Sequence, residues 1–249
     1  MSAANSTRTF PIWALLHTLV LRHSFGERIT VEKTIHYVAW GDSLTVGYGA
    51  PPGGGFVPLF RKQAEQALKT PVQLVNAGRT GATTGQQLAT LENDPKLQEQ
   101  IKEASLITVT AGGNDLIQAA IPYFYSNNTD HLKHALHTYA VNYAKLLARI
   151  ESLRNSPAQP RLIVLIGLYD PLPQVADAAY WVGRFNLFLR KLRKPHVRVV
   201  QIKRAFEGRT GDYLSEDYIH PNQLGYAAIA DRLAQALPDE LLRRLLGRL

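Results

Sequence analysis

Five short apolar runs are spaced along the chain, separated by segments of helical character. They span residues 35–40, 72–76, 106–110, 162–166 and 197–202. The runs are largely continuous rather than alternating, which is typical of strands buried on both faces of a parallel sheet. The pattern therefore predicts five strands of one mostly parallel sheet.

Helical patterns fill the intervals between these strands. The clearest covers residues 131–154, where apolar side chains recur every three or four positions and form one stripe. Asp130 precedes it as the predicted N-cap. Further helices are predicted at 56–68, at 84–102 with a break at Pro95, at 181–192 and at 221–237, followed by a short Leu/Arg-rich helix.

Alternation of strands and helices predicts an α/β fold. We expect a three-layer α/β/α sandwich around a five-stranded, mostly parallel sheet with a flavodoxin-like strand order. No repeat, low-complexity stretch or linker divides this region. The prediction is one domain over residues 34–249, preceded by an N-terminal segment at 1–33.

The N-terminal segment contains an apolar run at residues 10–21, interrupted by His17 and Thr18. The run is too short to span a membrane, which takes about 20 apolar residues. It resembles the apolar core of a signal peptide, although no small-x-small cleavage motif follows. Two interpretations stay open: an export or anchoring segment, and a helix packed on the domain.

Composition narrows the classes of partner. The chain has 249 residues, with 28 Lys and Arg against 20 Asp and Glu, and a formal net charge of +8. The basic residues are spread along the chain and no nucleic-acid-binding motif is present, so we predict no nucleic-acid partner. The absence of cysteine excludes disulfides, thiolate metal sites and a cysteine nucleophile.

Two further segments each have two interpretations. His131, His134 and His137 are spaced three residues apart, so successive side chains are rotated by about 60° around a helix. This spacing favours a solvated face over a metal site, and no metal is predicted.

Residues 238–249 are amphipathic and basic. We expect their leucines to pack on the domain, with contact to anionic lipid as the alternative.

Gly- and polar-rich segments directly follow the first three predicted strands. They read Gly41-Asp42-Ser43-Leu44, Asn76-Ala77-Gly78 and Gly112-Gly113-Asn114-Asp115. In a doubly wound sheet, ligands bind beyond the carboxyl ends of the strands. These segments are therefore expected to line one crevice.

The crevice carries the residues of an acyl-transfer site. Ser43 needs a base to become nucleophilic, and His220, with Asp217 three residues before it, is the best candidate. The N–H groups of Ser43 and Gly78 and the amide of Asn114 are candidate oxyanion donors. Each of these residues also has a purely structural interpretation: Ser43 and Asn114 would cap helices, Gly78 would be a turn glycine, and His220 would be a surface residue. Asp42 and Asp115 are interpreted as structural.

These four blocks, in this order, resemble the signature of the GDSL/SGNH hydrolase family: Gly41-Asp42-Ser43-Leu44, Gly78, Gly112-x-Asn114-Asp115 and Asp217-x-x-His220. The resemblance implies the α/β/α fold, esterase or lipase activity and no metal or organic cofactor. It implies Ser43 as nucleophile, Asp217 and His220 as the rest of the triad, and Ser43, Gly78 and Asn114 as the oxyanion hole. Residues 167–171 and 220–225 are closest to secreted or envelope-associated bacterial members, which favours an extracellular or envelope location.

We therefore expect a serine esterase or lipase that hydrolyses lipid, glycan or small-molecule esters through an acyl-enzyme. We predict that the acyl chains are short to medium in length and that loops at 48–56, 117–128 and 169–181 bind them. The aromatic residues of these loops have two interpretations: they form an apolar acyl site, or they belong to the core. The alternatives are a polysaccharide O-deacetylase, an acyltransferase with the same triad, and a non-catalytic envelope binding domain. Peripheral membrane contact and the oligomeric state stay open.

Overall fold

The computed structural model describes residues 34–153, 156 and 159–247. Within them, five strands form one sheet in the order β2-β1-β3-β4-β5, and all neighbouring pairs are parallel. This is the flavodoxin-like order, so the predicted fold class is confirmed. The strands are β1 Ile35–Gly41, β2 Val72–Gly78, β3 Leu106–Thr110, β4 Leu162–Ile166 and β5 Val197–Val200.

Helices cover both faces of this sheet. In chain order they are α1 Ser43–Val46, α2 Phe56–Leu68, α3 Thr84–Asn93, α4 Pro95–Glu103, α5 Gly113–Ser126, α6 Asp130–Ser152, α7 Ala178–Lys191, α8 Lys203–Phe206, α9 Thr210–Tyr213, α10 Gln223–Ala236 and α11 Asp239–Arg243, followed by the 3₁₀ turn Arg244–Leu246. The predicted N-terminal segment, 1–33, lies outside the described residues.

Side chains that alternate along the strands form two apolar cores. On one face Tyr37 and Val164 pack with α2, α10 and α11, and on the other Val38 and Leu165 pack with α4, α6 and α7. Every residue of β3 and β4 is buried. Continuous burial on both faces explains why these strands are apolar throughout rather than alternating.

The helix boundaries depend on short polar residues. As predicted, the second crossover breaks at Pro95: Asp94 ends α3 and its carboxylate accepts from the N–H groups of Lys96 and Leu97 at the start of α4. Asp130 was expected to cap α6, and that prediction is wrong, because Asp130 is the first residue of the helix. Its own N–H donates to Oδ1 of Asn128.

The predicted loop at 117–128 is also wrong, since α5 occupies most of it. Pro122 lies inside this helix, where a proline removes one backbone donor and disfavours helix in a sequence-based prediction. No residue of α5 is fully buried. The helix consequently has no fully buried apolar face of the kind that α6 packs against the sheet.

The C-terminal leucines pack on the domain, as the first of the two interpretations predicted. Leu242, Leu245 and Leu246 belong to the core between the sheet, α2 and α10. Across the described residues, no helix is both long and apolar enough to cross a membrane. In the same part of the chain, no group of three or more His, Cys, Asp or Glu side chains is arranged to hold a metal ion.

Strand register brings three chain segments to one edge of the sheet. Gly41, the last residue of β1, pairs with Gly78 at the end of β2 and with Thr110 at the end of β3. The turns that follow these strands therefore begin at the same level. Ser43 and Asn114 belong to two of these turns, at the carboxyl edge where ligands bind in doubly wound folds.

Candidate active site

Ser43 is the first residue of the one-turn helix α1 and is 6% exposed. The preceding Asp42 caps this helix, because its Oδ1 accepts the Leu44 N–H at 3.1 Å. Gly47, with φ of 85°, ends it. Ser43 is thus not the N-cap, and its hydroxyl is left for other partners.

The turn that carries Ser43 is fixed to β3 by a buried network. Thr110 Oγ1 donates to Asp42 Oδ1 at 2.8 Å, accepts the Asp42 N–H at 3.2 Å and contacts the Thr45 hydroxyl at 2.8 Å. A Cβ at Gly41 would lie 2.2 Å from Thr110 Oγ1, so this approach requires glycine. Burial raises the pKa of Asp42, although hydrogen bonds from Thr110 and Leu44 oppose that effect. Asp42 is structural, as predicted.

Asp217 organises the loop that carries the histidine. Its Oδ1 accepts the Ser215 hydroxyl at 2.9 Å and the N–H groups of Ile219 and His220 at 2.9 and 2.8 Å. Oδ2 lies 2.6 Å from His220 Nδ1. Partial burial opposes ionisation, but these donors together hold the pKa of Asp217 well below its usual value.

Ser43, His220 and Asp217 form a continuous chain of hydrogen bonds. His220 Nε2 lies 2.8 Å from Ser43 Oγ, across 177 positions of sequence. Because an ionised carboxylate only accepts, the proton between Asp217 and His220 belongs to Nδ1, which leaves Nε2 of a neutral ring free to accept from the Ser43 hydroxyl. The arrangement can transfer a proton from the serine to the imidazole as the serine attacks.

Asn114 lies in the first turn of α5 and lines the same cleft as Ser43 and His220. Its amide donates to the Ala82 carbonyl at 3.1 Å, which ties α5 to the turn after β2. Asp115 accepts both the N–H and the hydroxyl of Thr84, at 2.9 and 2.5 Å. As expected, Asp115 has a structural contact that holds the start of α5.

Gly78 does not fit its predicted role as an oxyanion donor. Strand β2 runs two residues further than predicted, so Gly78 belongs to the sheet rather than to the turn. Its N–H donates to Asn76 Oδ1 at 3.0 Å, and a Cβ there would lie 2.7 Å from the Val46 nitrogen. The glycine is needed for close packing against α1, and its donor is already engaged.

Gly81, three residues further on, was missed by the sequence prediction. It has φ of 78° in a turn closed by the Ala82 N–H and the Arg79 carbonyl. Open space surrounds the position of a Cβ, and among the described residues no partner is found for its N–H. The next residue, Ala82, accepts the Asn114 amide, so Gly81 adjoins a cleft-lining side chain.

The cleft over Ser43 has a volume of about 120 Å³. Asp42, Ser43, Asn114 and His220 supply its polar surface. The remaining lining is mostly apolar and comes from α1, α5, α7 and the segments after β4 and before His220: Leu44, Gly113, Leu116, Ile117, Leu168, Tyr169, Pro171, Val182 and Ile219.

Comparison with known proteins identifies the family. The sequence profile of the GDSL-like lipase/acylhydrolase family matches residues 39–228, most of the chain. The chain belongs to this family. The chain is accordingly a carboxylic ester hydrolase. This assignment favours an enzyme over the non-catalytic binding domain considered above.

Individual relatives agree with this assignment. The chain is 35% identical over 207 residues to the spore germination lipase LipC of Bacillus licheniformis, covering 82% of this chain and 96% of the relative. The structure of the lipase Lip_vut3 from a goat rumen metagenome matches with a TM-score of 0.77 at 35% identity, over 81% of this chain and 97% of that one. TesA, at 19% identity and a TM-score of 0.60 over 82% and 98% of the two chains, shares the fold.

Two tyrosines that the sequence prediction did not single out support the site of this hydrolase. The Tyr169 hydroxyl donates to the Ile219 carbonyl, directly before His220, and its ring stacks on Phe206 at 4.2 Å between centroids. The Tyr226 hydroxyl donates to the Tyr48 carbonyl at 2.8 Å. The Tyr48 ring in turn lies 4.7 Å from the imidazole of His220.

Proposed function

We propose that this domain, residues 34–249, hydrolyses carboxylic esters of short to medium acyl chains through a Ser43–His220–Asp217 triad. The observation that supports it most strongly is the pair of contacts made by His220, 2.8 Å to Ser43 Oγ and 2.6 Å to Asp217 Oδ2. Both ring nitrogens are engaged in the directions that proton transfer from serine requires.

In the first step, Ser43 Oγ attacks the ester carbonyl while His220 Nε2 takes its proton. Asp217 holds the ring and stabilises the imidazolium that forms. The N–H of Ser43, near the N-terminus of α1, and the amide of Asn114 donate to the oxyanion. The N–H of Gly81 is the third donor in place of Gly78, because the Gly78 N–H is already bonded to Asn76.

In the second step, His220 gives the proton to the leaving alcohol and an acyl-enzyme remains on Ser43. Water then attacks the acyl carbon while His220 accepts one of its protons. The second tetrahedral intermediate collapses to the acid as the bond to Ser43 Oγ breaks and His220 returns that proton to Oγ. Every proton in this sequence passes through His220. No metal ion or organic cofactor takes part, so we expect a chelator such as EDTA to leave the rate unchanged.

The substrate class follows from the lining of the cleft. Most of its surface beyond the triad is apolar, which suits an acyl chain better than a sugar ring. The relatives LipC and Lip_vut3, both 35% identical to this chain, are named as lipases. Polysaccharide deacetylation and acyl transfer to another alcohol use the same triad, and product analysis with acetylated glycans and acceptor alcohols separates them from hydrolysis.

Turnover of p-nitrophenyl acetate and butyrate tests the proposal. Ser43→Ala is expected to lower kcat by about 10⁴- to 10⁶-fold, as loss of a nucleophilic serine does elsewhere. Ser152→Ala is the matched control, because within the described part of the chain its hydroxyl bonds Arg149 alone, at the end of α6. The activity of this variant should equal that of wild type. Equal rates for wild type and Ser43→Ala would contradict the proposed nucleophile.

A further inference from the structure

A second cavity adjoins the cleft over Ser43. It has a volume of about 100 Å³ and lies between α5 and the segment that leads from Pro171 into α7. The cleft and this cavity share four lining residues, Leu116, Ile117, Pro171 and Val182. The two spaces are therefore neighbours along one apolar wall that starts at the nucleophile.

The lining of the second cavity is chemically uniform. Apart from Tyr123, Asp170 and Asp177, every residue that lines it is apolar: Leu116, Ile117, Ala120, Phe124, Leu132, Pro171, Leu172, Val175, Ala178, Trp181 and Val182. Asp170 Oδ1 accepts the Leu172 N–H at 3.0 Å, and an Asp177 oxygen accepts the Tyr123 hydroxyl. A hydrocarbon chain suits such a surface, whereas sugar hydroxyls would lose their hydrogen bonds to water there.

The Tyr123–Asp177 hydrogen bond joins α5 to the residue that precedes α7. Both residues line the second cavity and neither lines the cleft over Ser43. The bond therefore ties together the two walls of the second cavity, α5 and the segment before α7, without bordering the cleft. The contact with the Asp177 carboxylate also raises the pKa of the Tyr123 hydroxyl.

We propose that the second cavity binds the distal carbons of the acyl chain and that the Tyr123–Asp177 bond limits the chain length accepted. This inference rests on the proposed function, because it assumes an acyl group held on Ser43. An apolar cavity of about 150 Å³ holds benzene, or about 25 Å³ per carbon. On that scale the cleft and the second cavity together accept an acyl chain of about eight carbons.

The proposal predicts the chain-length profile of the wild type on p-nitrophenyl esters. kcat/KM should rise from acetate to octanoate, by up to about fourfold for each methylene that becomes buried. It should fall again for dodecanoate and palmitate, since carbons beyond the Tyr123–Asp177 bond have no cavity to enter. A value that keeps rising to palmitate would overturn the proposal.

Filling the cavity is the first test by mutation. Ala120 lines the second cavity and not the cleft, so Ala120→Phe should lower kcat/KM for octanoate at least tenfold and leave acetate within twofold. Ala119→Phe is the matched control, because Ala119 lies next in the same helix but faces a groove beside His131 and His134. Its profile should equal that of wild type.

Opening the cavity is the second test and does not depend on tolerance of a larger side chain. Tyr123→Phe removes the hydrogen bond to Asp177 and keeps the ring. The ratio of kcat/KM for dodecanoate to that for octanoate should rise at least threefold, with acetate unchanged.

The ratio between esters is the deciding quantity. An unchanged ratio in Ala120→Phe and Tyr123→Phe, or a proportional loss across the whole series, would overturn the acyl subsite while leaving the hydrolase activity intact. Turnover that does not depend on Ser43 would instead contradict the proposed function, so the two failures are distinguishable.

Discussion

The serine turn and the histidine loop contribute to the same site but are held in different ways. The turn after β1 is buried, and Asp42, Ser43 and Thr45 are each at most 6% exposed. The loop at residues 214–222 lies at the surface, and its Tyr218 is 73% exposed with a positive φ of 57°. The core of the fold fixes the nucleophile, whereas a few hydrogen bonds near the surface fix its base.

This difference has consequences for mutation. A change that disturbs the serine turn should lower both stability and activity, because the same buried contacts serve both. A change in the histidine loop should lower activity and leave the folded domain nearly as stable, since little apolar surface is involved. Five substitutions or conditions test the contrast.

Asp217→Asn should have the largest effect. The amide of asparagine can donate to His220 Nδ1 and so favours the wrong tautomer, and the loss in kcat is expected to be about 10⁴-fold. The melting temperature at neutral pH should fall by only a few degrees, because the Asp217 side chain is 37% exposed. Steady-state kinetics and thermal unfolding measure the two quantities. A collapse of the fold would contradict the surface character of the loop.

Thr110→Val should affect stability and activity together. It leaves the buried Asp42 without two of its hydrogen bonds, at a cost of about 1–3 kcal/mol in free energy of unfolding. Displacement of the serine turn should lower kcat by about 10- to 100-fold.

Thr108→Val is the matched control for that variant. Thr108 lies two residues earlier on β3, and its hydroxyl bonds the buried Tyr37 hydroxyl at 2.9 Å. We expect a similar loss of stability, measured by denaturant unfolding, with wild-type kcat. Equal kinetic effects of the two variants would show that general loosening of the sheet, rather than the Asp42 network, positions Ser43.

Tyr169→Phe tests the support of the histidine loop. Loss of the hydroxyl frees the Ile219 carbonyl, and kcat should fall by about three- to tenfold, the value of one hydrogen bond. Stability should barely change, because the ring keeps its stacking on Phe206. Tyr180→Phe is the control, because Tyr180 is an exposed residue of α7, and it should match wild type in both assays. If Tyr180→Phe lowered kcat as much as Tyr169→Phe, the Tyr169 hydroxyl would have no specific role in supporting His220.

Acidification should reduce the stability that Asp217 contributes. Its pKa is depressed in the folded state, so the carboxylate stabilises the fold above the unfolded pKa of about 3.9 and loses that contribution as the pH falls below it. The difference in melting temperature between wild type and Asp217→Asn should therefore shrink from pH 6 to pH 3. A difference that stays constant over this range would contradict the assigned contacts.

Tyr218→Gly should have the smallest effect. Glycine removes the cost of a left-handed residue, about 1–2 kcal/mol, but adds about 0.5–1 kcal/mol of chain entropy to the unfolded state. The free energy of unfolding should change by less than about 1 kcal/mol, and kcat by less than about threefold, since Asp217 and Tyr169 still hold His220. A large kinetic loss would show that the backbone of residue 218 itself positions the base.

The sheet was predictable because burial on both faces demands continuous apolar runs. Strands β3 and β4 begin and end where the sequence pattern places them. The edge strand β2 was predicted too short, since its last residues are polar or small and partly exposed. Because the strand was predicted to end at residue 76, Gly78 was assigned to the following turn. Gly81, which does lie in that turn, was therefore not considered as an oxyanion donor.

Only those parts of the site that stand in short local sequence motifs were predictable. Ser43, Asn114, Asp217 and His220 each stand in a short motif at a strand end or before a helix. The contact between Tyr169 and Ile219 spans 50 positions and depends on how two loops lie against each other, which no local pattern encodes. A helix was expected to begin near Leu116, but residues 117–128 were predicted to be a loop, and several apolar residues of α5 line the second cavity rather than the buried core.

The central claim is that Ser43 is activated by the imidazole of His220. Labelling with a fluorophosphonate, followed by peptide mass spectrometry, tests it most directly in wild type, Ser43→Ala and His220→Ala. We predict one adduct in wild type, on Ser43, none in Ser43→Ala, and labelling slowed at least a hundredfold in His220→Ala. An adduct on another residue, or an equal labelling rate without His220, would contradict the account.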